Sequence, residues 1–471
     1  MTLRIALPKG RLLIETAALL EKAGWKLAGY DSALRNYRLK SARFPELQIK
    51  VLHEKDIPIQ VAIGNYDLGI SGLDWIEELA SKYAAERIVR IKDLGYGKGS
   101  LYVASSRIQK LTLQNLCQAE DTVRIATEYP NIAESFALGM RLRRYCVFPV
   151  WGAADAYPPE SATLALVSGS PDTAMVNHGL VPLSCVLNYS AYLIANRRSW
   201  ERKDLSELLH TFEMVALEEK PAEKSTVKFS ENINLFPSGK AAESVVRIAL
   251  PDGHAQKHTV AIFNKAGIQI EDYPSSSGNR RPKVKLEGVA AKVIRPQDMP
   301  LQVANGNFDL AITGYDWITD HLAAFPASPV RELVDLKLSW VKIVAVVGND
   351  VPAASVYDVR KLIEKQDINY RVASEYTNLA DKYARENRLG MYRIVPTWGA
   401  TEAFLPEDAD MLIENTETGS TIARHNLKII DTLFESTARL IGRKETNTDP
   451  LKQKRIDNIV RLLSTAANLP K

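Results

Sequence analysis

Lys55–Ile76 reads KDIPIQVAIGNYDLGISGLDWI, and Gln297–Ile318 reads QDMPLQVANGNFDLAITGYDWI. The echo runs through the whole chain. RIALPKG at Arg4 returns as RIALPDG at Arg247, RIATEYPNIA at Arg124 as RVASEYTNLA at Arg371, and PVWGAADAY at Pro149 as PTWGATEAF at Pro396. Pro8 and Pro251 lie 243 positions apart, Asp56 and Asp298 lie 242 apart, and Arg124 and Arg371 lie 247 apart, so only short insertions separate the copies. A repeat of this length is a duplicated domain, too long for a solenoid unit.

With 471 residues, 46% hydrophobic and 25% charged, the chain is long enough to bury a large core. Its net charge of +4 argues against a dedicated nucleic-acid surface and leaves room for local phosphate pockets. No leader precedes the first strand, and no apolar run reaches the roughly 18 residues a membrane helix needs. Cys117, Cys146 and Cys185 are odd in number and lack metal spacing. They read as reduced thiols of a cytoplasmic protein.

Each copy opens with an apolar strand (3–7; 246–250), a Pro-x-Gly turn and an amphipathic helix closed by Gly24 or Gly267. A second strand, a helix begun by Asp-Ile-Pro or Asp-Met-Pro, and a third strand (DLGIS; DLAIT) follow. The pattern restarts at RIATEY or RVASEY, and late apolar runs (190–195; 437–441) return to the first lobe. Alternating strands and helices predict an α/β fold with mainly parallel sheets and ligands at the strand carboxyl ends. We therefore expect two tandem, two-lobed units resembling type II periplasmic-binding proteins, over residues 1–218 and 245–471. The polar stretch 219–244 reads as their linker.

Met411–Leu427 reads MLIENTETGSTIARHNL. An apolar strand leads through Glu414 and Glu417 into Thr418-Gly419-Ser420-Thr421 at a helix start. Glycine permits close backbone approach, hydroxyls donate, and the helix terminus attracts anions. Taken alone, the loop also fits an ordinary helix cap on a surface turn. Together with the PKGRL opening, the Asp-Ile-Pro segment, RIATEYPN and the Trp-Gly-Ala turn, it resembles the catalytic unit of ATP phosphoribosyltransferases. The resemblance covers both copies nearly end to end, and each copy looks like the short form of that family, with no third domain after Lys471.

The resemblance implies transfer of phosphoribosyl from phosphoribosyl pyrophosphate to N1 of the adenine of ATP, with Mg²⁺ as cofactor and pyrophosphate released. It implies catalytic roles for Lys9, Arg11, Arg295 and Glu414, the last where the family usually has Asp. Substrate contacts fall to Gly10, Glu402, Glu417, Thr418, Gly419, Ser420 and Thr421; no resident metal ligands are implied. The first copy breaks the loop: Val167 and Ser170 replace the two glutamates, and Pro171, Asp172 and Ala174 replace Thr418, Gly419 and Thr421. Proline removes a donor and aspartate repels phosphate. Conversely, the second copy has Asp252-Gly253-His254 where the first has Lys9-Gly10-Arg11.

These complementary losses predict an internal pseudo-dimer with one composite site. That site takes its loop and Arg295 from the second copy and Lys9 and Arg11 from the first. The competing reading is a non-catalytic nucleotide- or histidine-sensing protein on the same fold. Further self-association and a regulatory subunit stay open. Asp56, Asp298, Asp67 and Asp309 read equally well as helix caps. Tyr129 and Tyr376 read as packing, as do His178 and His425.

Overall fold

The computed structural model describes residues 2–34, 36–83, 85–169, 179–213, 244–276, 278–366, 369–444 and 449–469. The first-copy loop at 170–178 and nearly all of the expected linker lie outside these residues.

In the first copy, Arg4–Lys9 is buried from Ile5 to Pro8, as a strand covered on both faces must be. It pairs in parallel with Gln48–His53 and Leu68–Gly72. The late run returns as Ala191–Asn196, antiparallel between Leu68–Gly72 and Ile88–Asp93. The short strand Arg38–Leu39 completes the sheet on the other edge. The second lobe orders its strands Leu180–Tyr189, Gly99–Ser106, Leu164–Gly169, Val123–Thr127 and Tyr145–Pro149. The second copy has the same five-strand order around Val246–Pro251 and, in its second lobe, the mirror listing of the same order from Tyr392–Pro396 to Leu427–Ser436. Each sheet is thus a parallel core with antiparallel strands added, because the chain crosses between lobes and returns.

The copies do not stand apart. The turn after the Pro-x-Trp-Gly segment of each copy docks on the first lobe of the other. Lys50 Nζ donates to Glu407 (2.8 Å) and Asp408 (2.9 Å), Tyr66 donates to Asp408 (2.6 Å), and Arg38 pairs with Glu407 (2.8 Å). In the reciprocal contact, Arg281 and Lys292 both reach Glu160 at 2.7 Å. Apolar packing crosses as well. Ala403, Phe404, Leu405 and Leu412 join the first lobe's core of the first copy, and Ala156 and Tyr157 join that of Ala249, Ile294 and Met299.

Burial by itself would raise the Glu160 carboxyl, but hydrogen bonds from Arg281 and the Lys292 charge outweigh it and hold it down to about 2. A carboxyl lowered on folding stabilises above its ordinary value near 4.5 and loses that contribution as pH falls toward 2. Removing one partner of a buried ionic cluster strands the others, at a cost of about 3–5 kcal/mol. Lys292 is 1% exposed, so Glu160→Gln should lower stability at pH 7 by about 3 kcal/mol. Glu271→Gln, at an exposed pair with Lys285, should leave it essentially unchanged. Calorimetric unfolding of the two variants checks this, and equal losses would show that the crossing contacts hold nothing together.

Candidate active site

Lys9 ends the first strand beside His53 on the neighbouring strand. Gly10 then turns the chain at φ +94°, a conformation that favours glycine, and its carbonyl accepts from the Leu13 amide at 3.1 Å as the first helix begins. Lys9 Nζ donates to the Tyr37 hydroxyl at 2.8 Å. The Tyr37 ring stacks flat on His425 of the second copy, centroids 5.0 Å apart at 6°. His425 closes the short helix Ser420–Arg424 that follows the TGST loop. A chain of contacts therefore runs from the basic opening of one copy to the TGST loop of the other.

Within the loop, Gly419 adopts φ +75° and its amide donates to Thr416 Oγ1 (2.9 Å), while Thr418 Oγ1 donates to Ser420 Oγ (3.0 Å). Glu417, Thr418 and Ser420 are exposed, whereas Gly419 and Thr421 are half-buried. Behind the loop lie three carboxylates. Glu414 lies within the strand Met411–Thr416, Glu375 follows the strand Tyr370–Ser374, and Glu402 sits on the tight turn Thr401–Phe404. Burial chiefly, then repulsion from Glu375 and Glu402, pushes Glu414 up to about 8. Burial and Glu402 push Glu375 up to about 7 against the pull of Lys9. Burial, with Lys55, Lys9 and Arg11 repelling, lowers His53 to about 4, so Lys9 supplies the positive charge of the strand end.

Two expectations need correction. Arg11 is committed elsewhere: its guanidinium pairs with Glu54 (2.9 Å) and Asp74 (2.7 Å) and lies over the Tyr189 ring. Among the described residues it makes no hydrogen bond to the second copy. Arg295 belongs to the opposite cleft. It packs against Gly152 of the first copy, 2.8 Å from where a β-carbon would stand, and lies 3.6 Å from Asp252. That cleft reverses the charges of the first. Arg280 pairs with Asp252 (2.7 Å) at the positions matching Tyr37 and Lys9, and reaches Asp155, the counterpart of Glu402, at 3.8 Å.

Other residues fall as packing. Tyr129 and Tyr376 are buried on Trp75 and Trp317 and donate to Asp74 and Asp316. Asp56 and Asp298 make no side-chain cap bond; Asp298 instead accepts the Trp151 amide of the first copy at 3.1 Å. Asp67 and Asp309 anchor the first-strand amides of Arg4 and Arg247. His178 lies outside the described residues. Tyr37 and Glu375 were not singled out by sequence reasoning; a tyrosine facing an arginine across the repeat, Arg280, is the signal that would have marked the first.

Among the described residues no three His, Cys, Asp or Glu side chains gather as a metal cage, and no helix is long and apolar enough to cross a membrane. A hydroxyl-lined loop, three crowded carboxylates and one lysine can seat a phosphorylated sugar. Because the Glu414 carboxyl is raised on folding, its ionisation costs stability increasingly from pH 4.5 to about 8. Glu414→Gln should therefore stabilise the protein at pH 9 relative to pH 5 by roughly 3–5 kcal/mol. Thermal melts at both pH values check this; a difference that does not grow with pH would remove the buried-charge assignment.

The family model described as ATP phosphoribosyltransferase matches residues 53–214 and 295–465, together well over half of the chain. An ATP phosphoribosyltransferase of Prosthecochloris aestuarii is 34% identical over 226 residues, covering 48% of this chain and 73% of the relative. That of Chlorobaculum parvum is 33% identical over 229 residues, with 48% and 73% covered. Among solved structures, the ATP phosphoribosyl transferase (HisG:HisZ) complex from Thermotoga maritima aligns at TM-score 0.39 and 17% identity, covering 47% of this chain and 98% of that one.

Proposed function

Since the chain belongs to the ATP phosphoribosyltransferase family, we propose that it performs the first step of histidine biosynthesis at a single site built from both copies. The observation that carries the single-site reading is the Lys9–Tyr37–His425 contact chain across the duplication. In the reaction, N1 of the adenine of ATP attacks C1′ of phosphoribosyl pyrophosphate as the bond to pyrophosphate breaks. The electron pair leaves with the pyrophosphate, and positive charge develops on the ribose. A catalyst must anchor the 5′-phosphate, flank the ribose with carboxylate and meet the leaving group with a cation.

In this reading the 5′-phosphate sits on the hydroxyls of Thr418, Ser420 and Thr421, with Gly419 allowing close backbone approach. Glu414 and Glu402 face the ribose, and Lys9 meets the pyrophosphate. Tyr37 positions Lys9, and its stack on His425 sets the opening against the loop. Glu375 and Glu414, raised to about 7 and about 8, are partly protonated near pH 7, and positive charge building beside them favours their ionised forms, the protons passing to solvent. Mg²⁺ supplies charge neutralisation on the diphosphate. With no protein cage among the described residues, the substrate's own oxygens would hold most of its coordination. We read the reaction as cytoplasmic, in keeping with its soluble nucleotide substrates.

The opposite cleft is inactive in this reading, because Asp252 and Asp155 cancel Arg280 and Arg295. Incubating the full chain with ATP, phosphoribosyl pyrophosphate and Mg²⁺ should produce the N1-ribosylated adenine chromophore. Lys9→Met should lower kcat/KM about a hundredfold, on the order of 3 kcal/mol. Thr421→Ala should weaken phosphoribosyl pyrophosphate binding by roughly 1–3 kcal/mol. The counterparts Asp252→Asn and Thr173→Ala should stay within about twofold of the parent. Comparable losses from both copies would mean two working sites, and no chromophore at all would discard the activity.

A further inference from the structure

Between the copies lies a half-open cavity of about 600 Å³ whose lining shares only Glu375 with the groups given a role above. Its walls come in matched pairs, Trp75 with Trp317, Trp151 with Trp398, and Glu128 with Glu375, so it lies on the axis relating the two copies. Of the pairs that differ, one exchanges an ammonium for a neutral amide. Lys55 Nζ lies over the Trp75 ring, 4.5 Å from its centroid, and pairs with Glu128 Oε2 at 2.6 Å. An ammonium is thereby held between an indole face and a carboxylate. The second copy lines the cavity with the same indole, Trp317, and the same carboxylate, Glu375, but with neutral Gln297 in place of the lysine. Among the described residues the buried amide oxygen of Gln297 finds no hydrogen-bond partner.

The other charged walls are already engaged. Glu78 accepts the amides of Asn131 and Ile132, and Asp320 those of Asn378 and Leu379, each at a helix start. Asp298 accepts the Trp151 amide, and His321 bonds Ser328. Glu375 is left as the acidic group of the second-copy side, with Lys9 acting on it from the catalytic side and Glu402 repelling it. We propose that this axial cavity binds one small primary alkylammonium ion, seated against Trp317 and Glu375 as the Lys55 ammonium is seated against Trp75 and Glu128. A cation over an indole gains from the ring quadrupole, most when water is excluded, and a carboxylate adds a charge-assisted hydrogen bond.

The inference concerns binding alone and holds whether or not the chain turns over. Titration calorimetry of the full chain with n-butylammonium chloride at pH 8 tests it, with n-butanol as the uncharged match. One equivalent of butylammonium should bind, with butanol roughly tenfold weaker or more. Gln297→Lys, which tethers an ammonium in the same place, should cut butylammonium binding at least about tenfold. Lys55→Gln should raise the stoichiometry from one to two. Butanol binding as tightly would reduce the cavity to an apolar pocket, and no heat with butylammonium would empty it of function. Should Gln297→Lys unfold, the Lys55→Gln stoichiometry decides alone, and a value that stays at one overturns the proposal.

Discussion

Everything distinctive in this molecule follows from one reciprocal contact, the docking of each copy's Pro-x-Trp-Gly turn against the other copy's first lobe. Lys50 meets Glu407 and Asp408 on one side, and Arg281 and Lys292 meet Glu160 on the other. Ion pairs this buried contribute little net stability over a well-packed apolar contact, yet they are costly to break, so they serve registration. They fix which strand end faces which loop. The apolar residues around them make the cores continuous, with Phe404 packed into one first lobe and Tyr157 into the other's neighbourhood. The clefts and the axial cavity are all consequences of that register.

Within a nearly symmetric frame, the chemistry is asymmetric. Lys9 and Tyr37 face a hydroxyl-rich loop, whereas Asp252 and Arg280 at the matched positions neutralise each other. Around the first cleft, Glu375 and Glu414 are crowded enough to hold protons near neutrality. Around the second, Asp252 is lowered, since the hydrogen bond and charge of Arg280 and the charge of Arg295 outweigh its burial. In the first cleft the raised carboxyls lie behind the loop, whereas in the second the strand-end carboxylate Asp252 is held ionised by arginines. A group whose charge depends on small changes nearby is what a reaction developing charge can use.

The strand–turn–helix openings, the returning late strands and the two-lobed units were legible because each rests on local pattern: apolar runs, Pro-x-Gly turns and a repeat long enough to align. The site was legible only in part. The TGST loop and Lys9 carry their chemistry in residue type and spacing. Arg295 was assigned to the wrong cleft because sequence shows that a motif exists but not which lobe it faces. Arg11 reads as a free cation until Glu54 and Asp74, 43 and 63 residues away, close on it. The Tyr37–His425 stack joins residues on different copies, and each alone is an ordinary aromatic. Asp298 sits at a helix start as a cap would, yet its carboxylate crosses to the Trp151 amide.

The continuous core has a consequence for how such a chain can change over time. In an association of identical chains, any substitution appears twice, so both clefts stay whole or both fail. Joining the copies in one polypeptide makes the encounter intramolecular, at an effective concentration on the order of millimolar, and fixes the ratio at one to one. Each half can then lose what the other retains: the first its loop, the second its lysine. Once both losses have occurred, neither half sustains a cleft by itself, and neither can be lost. The duplication has become a ratchet.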